Sequence, residues 1–124
     1  MSPPADARID LPKGALELAI LQTLSQRSEH GYGILRAIQA QSREPLFVEE
    51  GSLYPALHRM ERKGWIASEW GVSDSGRRAK YYRLEDEGRS ELAARKKQWR
   101  RLSEGMARVL RLRPAQVRAR EVGA

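Results

Sequence analysis

A mainly α fold with one small β-hairpin and a long C-terminal helix is what this sequence predicts, from three observations. Apolar residues recur at helical spacing in three short stretches between residues 13 and 63. Two runs rich in strand formers, Trp65 to Trp70 and Ala79 to Leu84, flank the turn residues Asp74, Ser75 and Gly76. From about Glu85 to Leu112 there is no proline. The 124 residues suffice for one modest core and an appended helix, not for two cores.

Each element follows from its residues. Met1 to Asp10, with Pro3-Pro4, reads as a loose arm. Leu16, Ala19, Ile20 and Leu24 then form the stripe of a first helix, with Pro12 at its start and Glu17 complementing the dipole in an early turn. Arg27 to Gly31 is a polar turn. A second helix runs from about Tyr32 to Ser42 on Ile34, Leu35 and Ile38, and Glu44-Pro45 ends it, since a residue before proline leaves the helical region. The third helix is expected to start at Ser52, a favourable N-cap, with Pro55 in the first turn, where its missing N–H is harmless. Leu53, Leu57 and Met60 make its buried stripe, and Gly64 stops it. In the hairpin, Trp65 and Trp70 are expected to anchor the strands to the helices. In the last helix, Leu92, Trp99, Leu102, Met106 and Val109 trace an a/d seam interrupted at Arg95, which suits pairing with a second copy or packing back on the first helix. Pro114 ends it, leaving a basic tail over 114–124.

Charge narrows the function. The net charge is +7 and is not evenly spread. Residues 1–50 hold five bases against seven acids, residues 51–84 seven against three, and residues 85–124 eleven against six. A polyanionic partner should therefore meet the chain after residue 50. Cysteine is absent, which excludes disulfides, thiolate zinc sites and cysteine nucleophiles. His30 and His58 lack metal-ligand spacing, Gly31-x-Gly33 lacks the third glycine and preceding strand of a dinucleotide loop, and Glu49-Glu50 suit a helix dipole better than acid–base work. No enzyme, cofactor or metal is expected. No apolar run reaches membrane-spanning length and the N-terminus lacks a secretory pattern, so a cytoplasmic chain is expected.

Three helices followed by a hairpin make a winged helix-turn-helix, with the third helix suited to a major groove. The residues also resemble the PadR family of winged-helix transcriptional regulators. The likeness runs through Leu11-Pro12-Lys13-Gly14 with Leu16-Glu17, Ile20-Leu21 and Leu24, and through His30-Gly31-Tyr32-Gly33-Ile34. Its most specific stretch is Glu50-Gly51-Ser52-Leu53-Tyr54-Pro55-Ala56-Leu57 with Arg59-Met60-Glu61 and Gly64-Trp65-Ile66. It continues through Trp70, Arg77-Arg78 and Lys80 to Leu84, as far as Gly88. The single long C-terminal helix is similar to the shorter subgroup of that family. The resemblance implies a homodimer, a double-stranded DNA operator with an inverted repeat, and repression relieved by a small-molecule effector. It divides the chain into an arm (1–10), a winged helix (11–84), a dimerisation helix (85–113) and a tail (114–124).

Within that resemblance, Ser52, Tyr54 and Pro55 match the start of the recognition helix. Ser52 suits both capping and phosphate contact. Tyr54 suits either a DNA contact or packing inside the domain. His58, Arg59 and Arg62 are candidates for groove or backbone contacts, although such a basic face taken alone is more often just solvated. Arg77, Arg78 and Lys80 match the basic wing, with strand alternation weighing against Lys80. Leu92, Trp99, Leu102, Met106 and Val109 are the dimerisation residues, and Trp99 is also a candidate for stacking a flat ligand. Lys96-Lys97 and Arg100-Arg101 read as a solvated face. Two rivals stand beside this reading: a protein-interaction module whose long helix takes a different partner, and a non-specific nucleic-acid coater.

Overall fold

The computed structural model describes residues 9–43 and 45–112. In chain order the elements are β1 (Ile9–Asp10), α1 (Lys13–Gln26), β2 (Glu29–His30), α2 (Gly31–Gln41), β3 (Leu46–Phe47), α3 (Glu50–Arg62), β4 (Ile66–Val72), β5 (Arg78–Leu84) and α4 (Asp86–Leu110). The three helices and the hairpin stand in the expected order, and the fold is a winged helix. The expected tail at 114–124 and Met1 to Arg8 of the expected arm lie outside the described residues. Ile9 and Asp10 pair in parallel with Leu46 and Phe47, so the last two residues of that arm are a strand. The chain divides into two compact units, 1–92 and 93–124.

The first unit is built on one core. Leu16, Ile20, Leu21 and Leu24 of α1 pack with Ile34 and Ile38 of α2, with Leu53, Ala56, Leu57 and Met60 of α3, and with Ile66, Tyr82 and Leu84 of the sheet. Leu92 belongs to this core. The sheet has three strands in the order β2-β5-β4, all antiparallel. The stretch expected as a polar turn, Arg27 to Gly31, supplies β2, because Glu29 and His30 pair with Tyr82 and Tyr81. Two residues are too few to show a strand period. His30 then caps α2, its Nδ1 accepting the Gly33 N–H at 3.0 Å.

Helix α3 corrects the expected start. It begins at Glu50 with Glu49 as N-cap, so Ser52 stands in the first turn and caps nothing. Instead the Ser52 and Leu53 N–H groups both donate to the Glu49 carbonyl at 3.0 Å. Pro55 consequently falls in the second turn, where an N–H would have donated to Gly51. The far end is as expected. Gly64 adopts φ +79°, its N–H donates to Glu61 and the Trp65 N–H donates to Met60, both at 3.1 Å. Those two bonds satisfy carbonyls that the helix end would leave open.

The hairpin is longer than its strand formers suggested, because Gly71, Val72 and Arg78 join the ladder. Its tip closes with Gly76 donating to Ser73 and Ser73 donating to Arg77, both at 2.8 Å, and with Gly76 at φ +82°. Trp65 packs on the core as expected, but Trp70 is 59% exposed and anchors nothing. Helix α4 carries Asp86 and Glu87 in its first turn, where they complement the dipole. In the second unit Trp99, Leu102, Met106 and Val109 are all exposed.

A candidate nucleic-acid interface on α3 and the wing

Amphipathic spacing decides what α3 shows to solvent. With Leu53, Ala56, Leu57 and Met60 buried, Ser52, Tyr54, Pro55, His58 and Arg62 are left exposed. Pro55, His58, Arg59, Glu61 and Arg62 line a shallow hollow on that surface. Tyr54 packs inside the domain, its ring over Gly31, where an added Cβ would come within 2.7 Å of the hydroxyl, and the residue is still 41% exposed. Arg59 differs from its neighbours. Its Nε donates to Glu17 Oε2 at 3.3 Å, and Glu17 is buried at the core. Glu17 thus lies past the first turn of α1 and serves as a partner for α3 rather than as the dipole complement expected from sequence. At the other side of α3, Ser68 Oγ donates to Glu61 Oε2 at 2.6 Å and ties the helix to β4.

Register decides what the wing shows. Ile66 pairs with Leu84, Ser68 with Tyr82, Trp70 with Lys80 and Val72 with Arg78. Paired residues share a face and alternate residues repeat it. Ile66, Tyr82 and Leu84 are buried on the face that receives α3. Trp70, Val72, Arg78 and Lys80 carry that same face outward toward the tip. Alternation therefore turns Lys80 to the α3 side, together with Arg78, while Arg77 is exposed in the tip loop.

Charge pairing separates the basic residues into two groups. Arg27 pairs with Glu29 at 3.5 Å, Arg59 with Glu17 at 3.3 Å and Arg83 with Glu85 at 3.5 Å. Arg62, Arg77, Arg78 and Lys80 have no carboxylate partner among the described residues. Exposed bases without partners are available to an anion. Two exposed aromatic residues that were not contact candidates from sequence each carry an arginine. Tyr32 of α2 is 56% exposed with the Arg36 guanidinium 5.8 Å from its ring, an i, i+4 pair visible in the sequence once the buried face is assigned. Trp70 carries Arg78 over its ring at 4.3 Å. Among the described residues no group of three or more His, Cys, Asp or Glu could hold a metal ion, and no helix is long and apolar enough to cross a membrane.

Residues 20–94 match the model of the transcriptional regulator PadR-like family, well over half of the chain. The chain belongs to the PadR family. This PadR-family regulator is 35% identical over 83 residues to the transcriptional regulator Rv3488 of Mycobacterium tuberculosis, covering 67% of this chain and 74% of that one. Among solved structures, it is similar to a PadR family transcription regulator from Clostridium difficile, at 36% identity and a TM-score of 0.65, covering 77% of this chain and 97% of that one. A PadR-like transcriptional regulator from Bacillus cereus is 34% identical with a TM-score of 0.68, covering 79% and 93%. The segment matching the family takes in α2, α3 and the wing, and stops before Trp99.

Proposed function

We propose that this PadR-family regulator is a homodimeric repressor that binds a double-stranded DNA operator and releases it to a small-molecule effector. The observation that carries the DNA reading is the set of bases that no carboxylate neutralises, Arg62 on the exposed side of α3 with Arg77, Arg78 and Lys80 in the wing. Helix α3 enters the major groove through Ser52, Tyr54, Pro55 and His58, and the wing bases meet the flanking phosphates. Residues 11–84 with the start of α4 as far as Leu92 act as the reader, and the rest of the segment to residue 113 as the pairing helix. Two copies joined through Trp99, Leu102, Met106 and Val109 bind the halves of an inverted repeat about one helical turn apart. Trp99 is also the residue offered to a flat effector, since it is half exposed at the start of that seam.

The test is a fluorescence-anisotropy titration of the chain on the DNA upstream of its own gene, against random duplex at physiological salt. The reading requires at least about a thousandfold preference for the operator. Arg77→Ala with Arg78→Ala should weaken binding to every duplex and reduce the slope of log affinity against log salt by about two. Equal binding of operator and random duplex would leave only a non-specific coater.

The same exposed seam supports one second reading, a helix that takes a heterologous partner. Sedimentation of the purified chain separates the two: a dimer favours the repressor, and a monomer that pairs only with another protein favours the interaction module.

A further inference from the structure

One of the wing bases, Arg78, is held in a stack whose aromatic half the reading above does not use. Trp70 and Val72 are 59% and 71% exposed, a costly place for an indole and a branched apolar residue. They occupy the α3 side of the sheet, and Arg78 lies diagonally across the ladder from Trp70. The guanidinium stands 4.3 Å from the indole centroid, well inside stacking range. A guanidinium held over a ring still has N–H donors for an outside acceptor. No carboxylate takes them among the described residues. Lys80 stands opposite Trp70 and Arg77 next in the chain, so the stack is set in positive charge.

We infer that Trp70 is a positioning residue that holds Arg78 as a reader of minor-groove width beside the base pairs under α3. The inference rests on the DNA reading above and adds the wing's sequence preference to it. An arginine entering a groove must give up its rotamer freedom, and one already laid on an indole has given up much of it. A narrow A·T-rich minor groove concentrates negative potential and attracts such a guanidinium. Guanine opposes this, because its N2 amino group projects into the same groove and presents a donor to the guanidinium. Val72, beyond the stack, supplies an apolar edge for the sugar walls. The preference is therefore for A·T pairs flanking each half-site, at positions that no α3 residue touches.

The experiment uses the full chain and three duplexes that share one operator core. Their flanks under the wing are A·T, inosine·C or G·C. Inosine lacks the N2 amino group, so inosine·C presents an A·T-like minor groove and a G·C-like major groove. The wild-type chain should bind A·T and inosine·C flanks about tenfold tighter than G·C flanks. Arg78→Ala and Trp70→Ala should each bring the three flanks to within about twofold of one another, and the double variant should lose no more than either alone. Trp70→Phe should keep most of the preference, because a phenyl ring still carries the guanidinium. Circular dichroism of the variants establishes that the wing still folds. Equal binding of the three flanks by a wild-type chain that does prefer its operator overturns this inference alone, as does a Trp70→Ala variant that keeps the preference. A wild-type chain that binds operator and random duplex equally overturns the DNA reading and this inference with it.

Discussion

Glu17 and Arg59 stand 42 positions apart and meet across two helices at 3.3 Å. A buried carboxylate without a cation would be strongly disfavoured, so this arginine is part of how α3 is held as well as part of its surface. Nothing in the sequence pattern could reveal the pair, since it depends on which helix faces meet. The apolar stripes of α1, α2 and α3 were legible because periodicity alone assigns a buried face. Tyr54 was legible only as a choice between packing and contact, and the glycine at position 31 explains the packing: the missing side chain there is the space its ring fills. Tyr82 adds a pH effect at the same scale. It is buried, and burial, then the nearby Glu61, then Tyr54 push its phenol above the ordinary 10.0. The folded state thus favours the neutral phenol. Its contribution is complete below pH 10.0 and falls as pH rises through the raised value. Urea unfolding at about pH 8 and about pH 11 should show a larger loss of stability for the wild type than for Tyr82→Phe, which has no phenol to ionise.

At the scale of elements, existence was easier to read than boundaries. Ser52 carries the right chemistry for an N-cap, but two residues before it, Glu50 and Gly51, already take helical conformation. Local preference lost to packing, because starting at Glu50 lets Leu53 enter the core while the Glu49 carbonyl satisfies two N–H groups. Strand β2 was hidden for a different reason: its two residues are recruited by β5, a partner some fifty positions away in sequence. Gly64 was read correctly because a left-handed residue is a chemical requirement of the helix end rather than a tendency. Gly64→Ala should lower stability by about 1 kcal/mol or more in a denaturant titration, since alanine at positive φ is strained. The wing's register was not legible, because the strand runs ended short of Gly71, Val72 and Arg78. That is why the sequence left Lys80 undecided and gave Trp70 a buried role.

For the whole molecule, the charge surplus after residue 50 has a structural counterpart in the first unit, where α3 and the wing concentrate bases that the fold itself does not neutralise. The second unit carries an exposed apolar row on α4. A double change, Leu102→Glu with Met106→Glu, should shift the sedimenting species from dimer to monomer and weaken operator binding by about a hundredfold or more, because each half-site then binds alone. Helix content should be kept, which circular dichroism would verify. Finally, the start of α4 is not a neutral joint. The Glu85 N–H donates to the Trp65 carbonyl at 2.9 Å, a Cβ on Gly88 would collide with that same carbonyl, and Leu92 completes the core. The first two turns of the long helix are thus structural property of the reader. Anyone grafting this reader onto another oligomerisation helix, by recombination or by design, has to splice after Leu92 and keep the heptad phase from there. A splice at the visible strand–helix junction would remove part of the core with the graft.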